Sequence, residues 1–296
     1  MVADASDPQS AIRAIPIWSG PVEIEPLLGG ITNKNYLVSD GRRRAVVRYG
    51  GDIPVHGVMR FNELAAAKAA AAAGISPSVL YAAAPFLVMD FIEGRTYGAE
   101  DVRGNLQRCV SLIKRAHREM PVHLRGPTLC FNVFHVIRDY AHSLQEKGSR
   151  AVPLLAQLLE RSRRLEQAVG PIDLVFAHND LLAANFIDDG ARLWLIDWDY
   201  AGWGTPLFDL GGLSSNNGFT AGENELMLCD YFETPVDDAL RRKLQAMLAA
   251  SLLRESMWSM ISELTSVIDF DYVSYTQENL GRFEAAFVAF EEMEKS

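Results

Sequence analysis

Hydrophobic positions along the 296-residue chain change their period near residue 98. Before that point short apolar runs at 22–27, 36–38 and 45–48 read as strands, and a second pair follows at 78–81 and 86–90. Between the two groups, residues 59–73 (MRFNELAAAKAAAAA) consist largely of strong helix formers and stop at Gly74, with Pro77 just beyond, which predicts one long helix. A short capped helix is expected over 6–13, with Pro8 in its first turn. Beyond 98 the pattern turns helical over 101–119, 131–147, 152–168, 222–232, 237–264 and 276–294. In the last of these Leu280, Phe283, Phe287 and Phe290 mark one apolar face. A compact strand-rich stretch at 173–199 interrupts the helices. The fold class expected is α+β, with a small sheet lobe over 1–95 and a larger, mainly helical lobe over 96–296.

Composition narrows the classes. With 49% hydrophobic and 22% charged residues the chain is neither disordered nor collagen-like nor a coiled coil. A balance of 28 Lys+Arg against 38 Asp+Glu, net charge -10, argues against a nucleic-acid partner, which needs a basic face. Three scattered cysteines (Cys109, Cys130, Cys229) and an N-terminus with Asp4 and Asp7 but no apolar core fit a reducing, cytoplasmic location. Residues 69–89 lack charge over a length that could span a membrane. Gly74, Pro77 and Pro85 interrupt them, so a helix–turn–strand is expected instead and no membrane span.

The chemistry-bearing segment is 174–210. An apolar strand at 174–176 delivers His178, Asn179 and Asp180 to a loop, Asn185 follows, and Asp188, Asp189 and Gly190 form a turn. A second apolar strand at 193–196 then ends at Asp197, so a hairpin returns Asp197 to the neighbourhood of Asp180 and Asn185. Two carboxylates and an amide at strand ends suit phosphoryl transfer. One carboxylate accepts the proton of the attacking hydroxyl, while the amide and the other carboxylate supply hard oxygen ligands for magnesium.

This segment resembles the catalytic core of protein-kinase-like small-molecule kinases, and IDWDYAGWGTPLFDL (196–210) is most similar to the choline/ethanolamine kinase family, with aminoglycoside phosphotransferases as cousins. The resemblance runs over most of the chain, through LGGITNKNY (28–36), VVRYG (46–50), RFNELAAAKAAAAAG (60–74) and FNVFHVIRDY (131–140). It implies a bilobal protein-kinase-like fold with an antiparallel N-terminal sheet, use of ATP and Mg2+, and Asp180 as catalytic base. Asn185 and Asp197 become magnesium ligands, with Asp199 a candidate for a second metal. Arg48 falls where such kinases hold the nucleotide phosphates and Glu63 where a helix glutamate pairs with it. Gly30, Thr32 and Asn33 lie in the phosphate-covering hairpin, and adenine is expected near Met89, Phe91 and Ile92, held by main-chain groups. Asp209 resembles the buried acid that accepts hydrogen bonds from the catalytic-loop backbone.

For the acceptor, 252–277 resembles the family's choline-pocket region, with Trp258 and Tyr275 at positions of pocket aromatics. Glu255 stands where a second tryptophan is usual and Asn216 where a pocket acid is usual. Glu255 and Trp258, three apart, share a helix face, so Glu255 is expected to supply the charge that Asn216 lacks. The implied activity is transfer of the γ-phosphoryl group to choline, ethanolamine or a related small cationic alcohol. An aminoglycoside-type phosphotransferase and a non-catalytic pseudokinase are the alternatives.

Overall fold

A computed structural model describes residues 7–27 and 33–295. Asp7 caps helix α1 (Pro8–Arg13), its side chain accepting from the Gln9 amide at 3.0 Å. Strands β1 (Glu23–Leu27), β2 (Lys34–Ser39) and β3 (Arg44–Tyr49) follow, then helix α2 (Arg60–Ala72) and strands β4 (Val79–Ala83) and β5 (Phe86–Asp90). They form one antiparallel sheet in the order β1-β2-β3-β5-β4. The period of two decides what each face carries. Tyr36, Val38, Ala45, Val47 and Val88 share a face and pack with Ile12 and Ile15. Arg48, one residue out of phase with Val47, turns to the other face, where α2 lies.

The alanine run of α2 does more than favour helix. Ala66, Ala67, Ala69 and Ala70 are buried, and small side chains let this helix join the core of the helical half. Uncharged residues 69–89 are thus spent on the end of α2 and on β4 and β5. Among the described residues no helix is long and apolar enough to cross a membrane.

After β6 (Arg95–Thr96) come α3 (Ala99–Gly104), α4 (Leu106–His123), α5 (Val133–Glu146) and α6 (Val152–Val169). The single helix expected over 101–119 is therefore two. It breaks at Gly104 and Asn105, and its second part continues through Pro121. Strands β7 (Val175–Ala177), β8 (Phe186–Asp188), β9 (Leu193–Leu195) and β10 (Gly202–Gly204) carry the central loops; β6-β8-β9 form one small sheet and β7 pairs with β10. Helices α7 (Pro206–Asn217), α8 (Ala221–Phe232), α9 (Asp238–Thr265) and α10 (Tyr272–Lys295) complete the chain. On α10, Phe283, Phe287 and Phe290 are buried, as their spacing predicted, and Leu280 packs at the edge of the same core.

Helix α7 has no counterpart among the predicted helices. It is buried on nearly every side, so no amphipathic stripe marks it, and Gly211 and Gly212 lower its propensity. Its ends were nevertheless written: Thr205 caps it, Pro206 opens it, and Gly218 ends it in the left-handed conformation. The glycines serve packing against α9. A Cβ on Gly211 would stand 2.8 Å from the Leu248 amide nitrogen, whereas one on Gly212 would meet only Ser251 Oγ at 3.7 Å. Gly211→Ala is accordingly expected to cost about 1–3 kcal/mol by chemical denaturation and Gly212→Ala clearly less; equal costs would contradict this packing.

Candidate active site

Three elements meet at the site: the loop after β7, the residues after β9, and the first turn of α7. Asp209, buried in that first turn, accepts from the main-chain N–H of His178 at 2.8 Å and of Asn179 at 2.6 Å. Its Oδ2 also receives His117 Nε2 at 2.8 Å, and the Tyr231 hydroxyl lies 2.7 Å from His117 Nδ1. Burial presses the Asp209 pKa upward, but the His117 contact and the loop amide together hold it below the usual carboxylate range. Asp209 therefore remains a charged anchor.

His178 does structural work beside it. Its Nε2 donates to the Ile196 carbonyl at 2.9 Å and its Nδ1 accepts from the Asp180 amide at 3.2 Å, which ties the loop to the end of β9. Burial lowers its pKa, so the ring is neutral, as this pairing requires. Asn179 and Asp197 both adopt positive φ, 65° and 69°. Side-chain residues outside glycine seldom do so, and the strain is held by the hydrogen bonds around each loop.

Asp180 and Asp197 face one cleft, close enough for the charge of Asp180 to act on Asp197. Asp180 is half-buried and Asp197 is exposed at the floor, although protein surrounds both. Burial pushes Asp180 up to about 7; Arg254 opposes the rise, and Glu255, Asp199 and Asp209 add to it. Asp197 is raised by burial and by Asp199, Asp180 and Glu63, a rise opposed by the hydrogen bond it accepts from the Asp199 N–H. Asn185 is fixed by donating Nδ2 to the Asp180 carbonyl at 2.8 Å, which leaves Oδ1 as its ligating atom. Crowded carboxylates with an amide oxygen beside them fit a divalent cation with oxygen preference. Such a cation would be held by Asp197 and Asn185.

Across the cleft, Arg48 Nε stands 2.7 Å from Glu63 Oε1, a contact of charge without good hydrogen-bond alignment, and its Nη1 donates to the Gly50 carbonyl at 3.0 Å. The pair expected from the sequence is thus formed. A residue that the sequence did not single out, Arg60, completes the network. It reaches Glu63 Oε2 at 2.9 Å, Asp199 Oδ1 at 2.7 Å and Asn33 Oδ1 at 2.6 Å. Asn33 Nδ2 in turn donates to Asp199 Oδ2 at 2.8 Å. Both Asp199 oxygens are therefore engaged, so a second metal there would require Arg60 and Asn33 to let go. Gly30 and Thr32 lie outside the described residues.

At two residues of the expected adenine site the main-chain N–H is already paired. The Phe91 N–H donates to the Arg44 carbonyl at 3.1 Å, and Met89 is paired with Val46 on one side and Val79 on the other. Neither offers a free main-chain donor. The Arg44 guanidinium lies 4.1 Å from the centre of the Phe91 ring.

Where the sequence leads one to expect the acceptor, Asn216, Ser251, Arg254 and Glu255 line a narrow recess with Asp180. Tyr275 donates its hydroxyl to Glu255 Oε1 at 2.8 Å, and Asn216 donates to the Leu181 carbonyl at 3.3 Å. Trp258 is turned elsewhere: only 4% exposed, it donates Nε1 to the Tyr200 hydroxyl at 3.0 Å and its ring lies 5.2 Å from His56. The expected Glu255–Trp258 pair is split between recess and core.

A family model described as the phosphotransferase enzyme family matches residues 23–250. The chain belongs to that family. Ethanolamine kinase 2 of Rattus norvegicus is 26% identical over 280 residues, covering 83% of this chain and 71% of its own length. A choline/ethanolamine kinase family protein from Mesorhizobium loti superposes with a TM-score of 0.76 at 27% identity, covering 94% of this chain and 92% of its own. The choline kinase LicA from Streptococcus pneumoniae, 23% identical, shares the fold with a TM-score of 0.73 over 88% of this chain and 94% of its own. The protein-kinase-like α+β architecture expected from the sequence is thus established.

The raised Asp180 pKa has a sign that can be measured. Folded Asp180 keeps a proton, to about 7, that the unfolded chain releases near 3.8, so its contribution to stability is full below the lower value and is lost as pH rises toward the upper. Without divalent cations, the melting temperature of Asp180→Asn relative to the unsubstituted protein is expected to rise between pH 5 and pH 8. A difference independent of pH would contradict the assigned environment.

Proposed function

We propose that the protein is an ATP- and Mg2+-dependent small-molecule kinase that phosphorylates the hydroxyl of an amino alcohol, of the choline and ethanolamine type. The observation that carries the reading is the convergence of Asp180, Asn185 and Asp197 on one cleft, on loops that Asp209 and His178 hold. The names of the relatives favour the same acceptor class. In this reading nucleotide lies between a sheet lobe ending near residue 95 and the helical lobe that follows.

Each residue then has a physical task. Asp180 accepts the proton of the acceptor hydroxyl as its oxygen attacks the γ-phosphorus; the bond from that phosphorus to the β–γ bridging oxygen breaks and ADP leaves. A pKa raised by burial suits a base that must take up a proton near neutrality. Asp197 and Asn185 would hold magnesium, which when bound offsets the charge of the phosphates. Arg48, kept in place by Glu63, presents a cation to the nucleotide phosphates. Glu255, Asn216 and Tyr275 border the acceptor.

Purified protein with Mg-ATP is expected to release ADP on addition of an amino alcohol, in a coupled assay over a panel that includes choline and ethanolamine. Asp180→Ala should lower this turnover by roughly 10²–10⁴-fold while leaving the circular dichroism unchanged. Undiminished turnover in the variant would remove Asp180 as the base, and a panel without any active member would remove the acceptor class.

A further inference from the structure

The recess beside Asp180 contains a buried cation, Arg254, that the reading above does not use. Its side chain is 5% exposed, and its guanidinium lies 4.3 Å from the centre of the Tyr200 ring. One nitrogen, Nη1, donates to Glu255 Oε2 at 2.9 Å. The other two, Nε and Nη2, are buried and have no hydrogen-bond partner. Arginine presents a planar fork of donors suited to a carboxylate, and leaving buried charged donors unpaired is costly.

The same pairing changes what Glu255 can do. Its Oε1 accepts from Tyr275 and its Oε2 from Arg254, so both oxygens are engaged and its charge is balanced by a neighbour. An acceptor that is only a cation would meet a neutralised acid and a buried like charge. An acceptor carrying an ammonium and a carboxylate meets a partner for each. We propose that the recess selects a zwitterionic alcohol, a hydroxy amino acid, with the carboxylate on Arg254 and the ammonium on the Glu255 side.

The inference rests on the kinase reading and keeps its chemistry. The hydroxyl oxygen of the amino acid bonds to the γ-phosphorus, its proton passes to Asp180, and the products are a phosphomonoester and ADP. Arg254 is thereby a specificity determinant of the acceptor.

The test pairs each amino alcohol with its carboxylate-bearing counterpart, ethanolamine with serine and 3-aminopropanol with homoserine, and reads kcat/KM for ADP release. The carboxylate-bearing member of at least one pair is expected to be preferred by about tenfold or more, carried mainly by KM. Arg254→Met should collapse that ratio toward one, and Arg254→Lys, which keeps the charge and loses the fork, should fall between. If Arg254→Met does not fold, the ratios in the unsubstituted protein and in Arg254→Lys decide. Preference for ethanolamine or 3-aminopropanol over both amino acids, or a ratio indifferent to Arg254, overturns the proposal and leaves the kinase reading standing. No turnover with any acceptor and no binding of Mg-ATP overturns the kinase reading and this proposal together.

Discussion

Asp209 accepts two consecutive main-chain N–H groups from the residues that immediately precede Asp180, and the geometry of the site follows from that pairing. A loop turning through a positive-φ asparagine would otherwise sample many conformations. Because the carboxylate is buried and also held by His117, its hydrogen bonds are charge-assisted and shielded from water. The anchor lies in the first turn of α7, and α7 is locked against α9 through Gly211. The position of Asp180 is thus set by helix packing, and α9 brings Ser251, Arg254 and Glu255 to the same recess.

A second constraint joins the sheet half to the helical half. Arg48, Glu63, Arg60, Asp199 and Asn33 alternate charge and amide across the cleft, from β3 and α2 to the residues after β9. Burying two cations and two carboxylates is favourable only when all are paired, as they are here. Together with the alanine face of α2 inside the common core, this network fixes the cleft wall relative to its floor.

Much of this arrangement is legible in the chain. The period of two identified β2, β3 and β5, the alanine run identified α2, and a strand ending in HND with a second ending in Asp197 marked the cleft. What escaped did so for physical reasons. Helix α7 is buried all round and carries paired glycines, so neither periodicity nor propensity signals it. Arg60 and Arg254 each look like an ordinary charge on a helix, and only tertiary packing places one between two carboxylates and the other beside Asp180. Trp258 shares a helix face with Glu255, but its ring follows the Tyr200 hydroxyl and His56 into the core. Spacing tells which residues are neighbours along a helix and not which way a long side chain turns.

Nucleotide affinity with and without magnesium, measured by titration calorimetry on the unsubstituted protein and on Asp197→Ala, is the most direct test that the cleft is a metal–nucleotide site. Magnesium is expected to tighten ATP binding to the unsubstituted protein and to bring little gain to the variant. Absence of ATP binding, or the same magnesium gain in both proteins, would contradict the assignment.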